Sequence, residues 1–416
     1  MMRKSHGCFV SPFLIGAAAL AQTQSQAPNE WIGGLPFAEW TRATGNWGRL
    51  RDNLEEYGVE VGGGFTGDAS APWRGGLGKS SAWSTLLDLN VAFDLETMAG
   101  LPRTIAYVDA YRIHGSNPSD NVGDAQSLSN IQGDDTWQIA EVWLETWLSE
   151  QFRLKAGKVD FNSEFAFNEI GGEFVNSTVA ITPCIVGYPT YPDPATSVNV
   201  FYVPQDNLYI GVGIYDGATA EGRRTGNRSI SGFFGNDDSD AYFFAAEVGY
   251  AWTGGESWGS GRGAFGLWHH TADFEEFDGG NESGTDGFWI TLEQHLWREN
   301  PTTEDDAQGL GAYAGYGHAN ESVSAFGNTF TIGAAWTGPL ERRDADVLGV
   351  AIHYADLSDA AGAATPDNET VLELLYKIQV TPAISVKPDL QYILNPGGDG
   401  SADDVLVALL RVEVLF

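Results

Sequence analysis

The apolar and polar residues at the end of the chain alternate with a period of two. Leu406, every second residue after it and finally the aromatic Phe416 form one apolar face, while Arg411 and Glu413 lie on the opposite face. Successive side chains of a β-strand point to opposite faces of a sheet. An apolar face that ends on an aromatic residue is typical of the closing strand of a transmembrane β-barrel, with lipid outside and a polar lumen inside.

The same alternation recurs along the chain. In residues 83–94, Leu87 and Leu89 share one face, and Asp88 and Asn90 lie on the other. Such segments predict about sixteen strands, each near the ~10 residues that a tilted membrane strand needs. The predicted strands are 57–68, 83–94, 104–115, 136–148, 152–161, 196–204, 207–217, 241–252, 261–273, 287–299, 308–320, 328–338, 346–357, 369–381, 384–396 and 403–416.

The connections between the predicted strands differ systematically in length. Those after odd-numbered strands are long in the first half of the chain, at 69–82, 116–135, 162–195, 218–240 and 274–286. Several even-numbered connections are tight turns, at 149–151, 205–206 and 382–383. Bacterial outer-membrane barrels have short periplasmic turns and longer external loops. The pattern therefore predicts external long loops and two chain ends in the periplasm.

The longest predicted connection, 162–195, has two interpretations. A loop of this length is usually functional or disordered. We interpret it as a segment that folds into the lumen and narrows it. The plainer alternative is a loop that packs over the top of the barrel.

The start of the chain has the features of a secretory signal. A basic beginning and an apolar run from Phe9 to Leu20 precede an A-x-A sequence that ends at Ala21, which predicts a signal peptide at 1–21. Cleavage would also remove Cys8. The remaining cysteine, Cys184, then has no partner for an intrachain disulfide.

Two further segments follow from the same pattern. We expect a periplasmic N-terminal segment at 22–58 and a barrel at 59–416. Within the segment, the apolar residues of 46–57 recur at helical spacing, and Gly58 is a fitting end. The sequence therefore predicts a short amphipathic helix near the periplasmic mouth.

The composition excludes several classes of protein. The 416 residues include 52 Gly and 12% aromatics, and the body of the chain has no apolar run of about 18 residues, so a helical membrane protein is excluded. The net charge of −34 argues against nucleic-acid binding, which needs a basic surface. We predict an all-β fold, a transmembrane antiparallel up-and-down β-barrel with acidic loops.

The sequence offers no firm catalytic, cofactor or metal motif. No serine lies in G-x-S-x-G or a comparable setting, and we expect neither enzymatic activity nor a cofactor. The runs 236–240 and 304–306 carry oxygen ligands of the kind that Ca²⁺ prefers, but neither has the spacing of an EF-hand. We interpret both runs as solvated acidic loops.

On each strand, the face that carries the charged residues should line the lumen, because a charge on the lipid side near the bilayer midplane costs up to ~2–4 kcal/mol. Arg112 and Asp109 have opposite phases on one strand, so one of them must lie near a strand end or a bulge. Trp147, Trp289 and Trp297 also have inward parity. We predict that the pore is lined by Arg112, Glu141, Trp143, Glu145, Arg153, Lys155, Glu293, Lys377, Asp389 and Arg411.

A narrow passage with charges of both signs and aromatic faces suits a sugar. Arginine donors and carboxylate acceptors bind hydroxyl groups, and binding must stay weak enough for release. The mixed charges alone do not separate a sugar-selective pore from a general diffusion pore.

Six short motifs resemble the carbohydrate-selective porins, the OprB-like family of bacterial outer membranes. Their order along the chain is the order in that family. The motifs are N-W-G-R-L-R-D-N-L-E-E-Y-G at 46–58, G-D-A-Q-S-L-S-N-I at 123–131, A-E-V-W-L-E-T-W-L at 140–148, L-K-A-G-K-V-D-F-N-S-E-F at 154–165, G-I-Y-D-G at 213–217 and K-P-D-L-Q-Y-I-L-N-P-G-G at 387–398.

The resemblance implies a barrel of sixteen strands through which mono- or oligosaccharides diffuse passively into the periplasm. It also implies a constriction of arginines and acids, in which Glu141 and Glu145 match the acidic strand of the family. The family often has an arginine just before the glycine that is Gly157 here, and this chain has Lys155 and Arg153 instead. Lysine lacks the fork geometry of arginine.

The sequence leaves alternatives to a sugar-selective porin and also predicts several partners. The alternatives are a general diffusion or cation-preferring porin and, more remotely, a secreted soluble all-β carbohydrate-binding protein or glycosidase with paired carboxylates. The expected partners are small hydrophilic solutes, outer-membrane lipid and the barrel-assembly machinery, which would engage the end at Phe416. A homo-oligomer is compatible with the sequence, and monomer and trimer both stay open.

Overall fold

The structure is a computed structural model. It describes residues 30–416 apart from 32–33, 181–183, 229, 235–239, 256–258, 301–306 and 361–366. The predicted signal peptide at 1–21 lies outside the described residues. The described part forms one closed barrel in which each strand pairs antiparallel with its neighbours in sequence and the first strand pairs with the last.

Sixteen strands form the barrel, which confirms the predicted fold class. The strand bounds agree with the prediction to within a few residues at most ends; the first strand ends later than expected and the tenth begins earlier. The strands are β1 Val59–Arg74, β2 Ala82–Asp94, β3 Thr104–Gly115, β4 Thr136–Trp147, β5 Phe152–Val159, β6 Ala195–Gln205, β7 Leu208–Asp216, β8 Tyr242–Trp252, β9 Gly261–Glu275, β10 Asn281–Arg298, β11 Gly309–Ala319, β12 Phe326–Thr337, β13 Val347–Leu357, β14 Asn368–Thr381, β15 Ile384–Leu394 and β16 Val405–Leu415.

The two faces of the wall follow from the register. Cross-strand partners place their side chains on the same side of a sheet, and Asp68 of β1 is the partner of Arg411 of β16. Both are buried inside the barrel, whereas Leu410, the neighbour of Arg411, is 45% exposed on the outside. The apolar face predicted from the end of the chain is therefore the lipid-facing surface.

Three short helices accompany the barrel: α1 Leu50–Glu56, α2 Leu95–Ala99 and α3 Ser119–Val122. The helix predicted at 46–57 is α1, preceded by a 3₁₀ turn at Trp47–Arg49 in which Gly48 has a φ of 65°. The backbone N–H of Ala43 donates to the carbonyl oxygen of Leu415 at 2.7 Å, which ties the N-terminal segment to the end of β16. Among the described residues, every helix is too short or too polar to serve as a membrane span.

The described residues of the connection between β5 and β6, 160–180 and 184–194, fold into the barrel, and we name them the inner loop. Phe161 packs edge to face against Trp289 of β10, with ring centroids 5.8 Å apart. Farther along, Val175 packs in a cluster with Val407 of β16. Because β10 and β16 lie on different sides of the barrel, the loop crosses the lumen, as the favoured interpretation predicted.

Bulges change the inward and outward parity of two strands, β10 and β4. Between His295 and Trp297 the register of β10 shifts, so Trp297 pairs with Leu310 and lies on the outside, 43% exposed. The prediction that Trp297 faces the lumen is therefore wrong. A similar shift in β4 places Ala140 on the inner face, buried in a cluster with Tyr111.

Candidate functional site

Carboxylates on the inner wall of the barrel hold the inner loop by its backbone. Each accepts a hydrogen bond from a loop N–H, and together they follow the loop from one side of the lumen to the other. The pairs are Glu141 with Asp160 at 3.1 Å, Glu247 with Ala166 at 3.1 Å, Glu293 with Ile170 at 2.6 Å and Glu373 with Val175 at 2.6 Å. Charge-assisted hydrogen bonds of this kind are about twice as strong as neutral ones.

Near its start, the loop is also held by a cluster of charges on β4 and β5. Glu164 of the loop is buried and receives Nζ of Lys155 at 2.6 Å and the guanidinium of Arg153. Arg153 makes a second ion pair with Glu145 of β4 at 3.0 Å. Two adjacent inward positions of β5 thus place two cations against one loop carboxylate.

Electrostatics keep Glu164 charged in this position. Burial alone would raise the pKa of its carboxyl group, but Arg153 and Lys155 outweigh burial and hold that pKa below its ordinary value. The same two cations lie over aromatic rings, Lys155 over Trp143 at 3.8 Å and Arg153 over Phe201 at 4.2 Å. The carboxylate and the ring faces fix both cations in place.

Trp143 has no ring face left for a solute. Lys155 covers the ring, Tyr107 stacks on it with centroids 4.8 Å apart, and its indole N–H donates to Glu141 at 3.2 Å. The register of β4 with β5 places Trp143 on the inner face of the wall. Its contacts make it part of the support of the inner loop.

Arg262 of β9 is a lumen residue that sequence reasoning missed. Its guanidinium contacts Tyr209, lies 3.4 Å from Glu247 and donates to the carbonyl oxygen of Phe167 in the inner loop at 3.3 Å. The neighbouring residues of β9 are glycines and alanine, so the alternation there is weak. The signal that could have found it is its parity with Trp268, which faces inward.

On the opposite wall, Lys377 and Lys387 hold the inner loop at Glu173. Nζ of Lys377 lies 2.7 Å from Glu173 of the loop. Lys387 donates to the carbonyl oxygen of Glu173 at 2.9 Å and lies 3.6 Å from Glu413. Lys377 was a predicted lining residue, and its inward orientation agrees with the register.

Arg411 binds the wall and the loop that enters the lumen between β3 and β4. It makes a bidentate ion pair with Asp68 of β1, both contacts at 2.8 Å, and donates to Oγ of Ser129 at 3.1 Å. Asp389 of β15 is buried beside Gln391, whose amide donates to it at 3.1 Å. Both predicted residues face the interior, but neither is open to a solute.

Arg112 does not line the lumen, which corrects the prediction. Its cross-strand partner is Trp137, which is exposed on the outside. Arg112 lies near the outer end of β3 and forms an ion pair at 2.5 Å with Asp135 in the following loop. Asp109 lies in the middle of the strand, and its side chain therefore faces the lumen. Arg112 lies at the strand end, where its charge reaches water without facing the lumen.

The wall of β1 differs from the rest of the lumen. Its inward positions between Glu60 and Asp68 are Gly62, Gly64 and Thr66, all half-exposed. A Cβ added at Gly64 would meet only atoms of the adjoining β16 and none of the inner loop. We name the space between this wall and the inner loop the β1-side passage.

Metal binding has little support in the described residues. No group of three or more His, Cys, Asp or Glu side chains in that part of the chain is arranged to hold a metal ion. Of the two acidic runs considered as Ca²⁺ candidates, residues 236–239 and 304–306 lie outside the described residues.

A closed barrel with an apolar outer surface, a charged lumen and a loop that narrows it defines a transmembrane porin. The family model for the carbohydrate-selective porin, OprB family, matches residues 79–416. Porin B of Pseudomonas aeruginosa is 26% identical to this chain over 432 residues, covering 92% of each protein.

Solved structures share the fold. The high-pH structure of Pseudomonas putida OprB has a TM-score of 0.82 and 20% identity, covering 92% of this chain and 100% of that one. The low-pH structure has a TM-score of 0.59 and 16% identity, covering 91% and 99%. The chain therefore belongs to the OprB family of carbohydrate-selective porins and resides in the bacterial outer membrane, where it lets sugars diffuse.

Proposed function

We propose that sugars cross the barrel through the β1-side passage. The observation that carries this proposal is the contrast between a loop fixed to the other walls and a β1 wall made of glycine and threonine. Wall carboxylates and ion pairs hold the inner loop away from Gly62, Gly64 and Thr66. The loop therefore narrows the lumen and leaves a passage on one side.

The residues proposed to touch the sugar are those of the predicted set that keep some exposure. The side chains of Glu145, Arg153 and Lys377 are 17%, 16% and 18% exposed. Hydroxyl groups can donate to Glu145 and accept from the two cations. Lys155 and Arg411 are buried, and we assign them to the support of the loop and wall.

The ion pairs of these side chains suit transport rather than tight binding. Each exposed cation already has a carboxylate partner, so a sugar hydroxyl competes with an existing contact. Conduction requires sites that are favourable enough to enter and weak enough to leave. Paired charges at the edge of the passage meet that requirement.

Liposome swelling tests the proposal. We expect vesicles that carry the purified barrel to take up glucose several-fold faster than a neutral polyethylene glycol of similar size, because the glycol lacks an array of hydroxyl donors. Glu145→Gln should reduce this ratio at least twofold, since the amide is a weaker acceptor. Glu150→Gln, at the exposed turn between β4 and β5, is the matched control.

Uptake ordered by size alone, with no effect of Glu145→Gln, would contradict sugar selectivity and favour a general diffusion pore. Absence of enzymatic activity is a separate expectation of this proposal, and a panel of glycosidase substrates tests it. Neither result depends on the other.

We also propose that the chain is processed after Ala21 and that its last strand is recognised by the barrel-assembly machinery. In support, the backbone N–H of Phe416 donates to the carbonyl oxygen of Gly63 at 2.9 Å, so the last residue takes part in barrel closure. The N-terminal sequence of the mature protein tests the processing. Its native mass in detergent distinguishes a monomer from a homo-oligomer.

A further inference from the structure

The cationic side chains in the middle of the lumen are all neutralised. In the described strands, each inward Lys or Arg at this level lies within ion-pair distance of a carboxylate. The pairs are Arg153 with Glu145, Lys155 with Glu164, Arg262 with Glu247, Lys377 with Glu173, Lys387 with Glu413 and Arg411 with Asp68. Among the residues that the structure describes, no positive charge at this level is left to attract an anion.

The acids near the β1-side passage are not matched in the same way. Asp88 is the cross-strand partner of Gly64, and Asp109 is the partner of both Asn90 and Glu141. None of these three carboxyl groups has a Lys or Arg within ion-pair distance among the described residues. The side-chain amide of Asn90 donates to Oδ1 of Asp88 at 3.0 Å.

One oxygen of this group has no partner. Asp109 is 5% exposed, and its Oδ1 makes no hydrogen bond with any described residue. A buried carboxylate oxygen without a partner costs free energy. It faces inward between Asn90 and Glu141, and a cation or ammonium group in the passage would satisfy it.

On the other side of the β1 wall lies Glu413, whose ion pair with Lys387 at 3.6 Å is the longest of the pairs named above. It is the cross-strand partner of Thr66 and is 31% exposed, the most open of the carboxylates paired above. The small residues of β1 thus lie between Asp88 on one side and Glu413 on the other. Carboxylates arranged around a narrow passage are the device by which cation channels select their ions.

We propose that the β1-side passage prefers cations, and that its substrate class extends from neutral sugars to cationic amino sugars while sugar acids are rejected. This inference rests on the proposed route through the same passage. The local excess of carboxylates lowers the energy of a positive solute and raises that of a negative one. The energy of a neutral sugar is little changed by these charges, and such a sugar crosses the passage through contacts of its hydroxyl groups.

Planar bilayers that contain the full barrel test the ion preference. With a gradient of KCl, the reversal potential should give a several-fold permeability ratio for K⁺ over Cl⁻, and the ratio should fall as the salt concentration rises, because salt screens the carboxylates. The double variant Asp88→Asn/Glu413→Gln should lower the ratio at least twofold. Glu341→Gln, on an exposed turn remote from the passage, should leave the ratio unchanged.

Uptake into vesicles tests the substrate class. Glucosamine should enter faster than glucose, and glucuronate more slowly than both, at neutral pH. A ratio near one or a preference for Cl⁻ in the wild-type barrel would overturn the inference, whether or not the double variant folds. Glucose uptake in the same vesicles reports on the proposed route separately: if glucose fails to enter, the proposed function fails.

Discussion

The two sides of the lumen use charge differently. From β4 to β10 and on β14 and β15, inward charges are mostly buried and bind the inner loop through pairs such as Lys155 with Glu164. Along β1 the wall is made of small residues, and the nearby acids Asp88 and Glu413 keep partial exposure. Inward charges in this barrel therefore fix the loop, border the passage or, as proposed for Arg153 and Lys377, do both.

The largest effect should come from filling the open side. Thr66→Trp would place an indole in the β1-side passage, and we expect single-channel conductance and glucose uptake to fall several-fold. Phe65→Trp, one residue away on the lipid face, is the matched control and should leave both unchanged. Equal conductance of Thr66→Trp and wild type would mean that solutes pass elsewhere.

The next effect concerns the fixed side. Glu164→Gln leaves Arg153 and Lys155 without their buried carboxylate, and breaking such a pair costs about 3–5 kcal/mol. Cys184 lies on the same inner loop and is buried, and in the chain without residues 1–21 it is the only cysteine. We expect its labelling by a thiol reagent to accelerate at least tenfold, because the loop detaches more often.

Glu169→Gln is the control for this experiment, since Glu169 lies on the same loop and is exposed. It should label at the wild-type rate. Fast labelling of both variants would show that any change in the loop exposes Cys184, and the role assigned to Glu164 would then be wrong.

The smallest effect is a pH dependence of the same cluster. The pKa of Glu164 is lowered in the folded protein from the ordinary value of 4.5, so its contribution to stability is complete above about pH 4.5 and is lost as the pH falls through the lowered pKa. The melting temperature of the wild-type barrel in detergent should therefore exceed that of Glu164→Gln at pH 7 and converge with it at low pH. A constant difference down to pH 2 would contradict this assignment.

Much of the wall could be predicted from the sequence. The lipid outside and the water inside impose a period of two, and a charged residue such as Lys377 or Glu293 cannot face the lipid. Parity therefore indicates the face of the wall on which most charged side chains of the strands lie. It failed where a bulge inserts a residue, as before Trp297, and at Arg112, where the strand end relaxes the constraint.

The sequence did not predict which inward charges hold the inner loop and which border the passage. The hydrogen bond between Glu293 and the N–H of Ile170 joins residues 123 positions apart, and no local pattern signals it. The same applies to the passage, because the glycines of β1 carry no alternation of their own. A long loop is visible in the sequence, but the wall positions that it occupies are set by tertiary packing.

The contact between the two ends of the chain has a consequence for assembly. Gly64 of β1 pairs with Leu415 of β16, so the contact that closes the ring joins segments at opposite ends of the barrel sequence. Until it forms, both terminal strands are unpaired edges, which are prone to pair with other chains. Such non-local pairing is intrinsically slow. An unclosed barrel is thus exposed to aggregation, and the pairing of β16 with β1 ends this exposure.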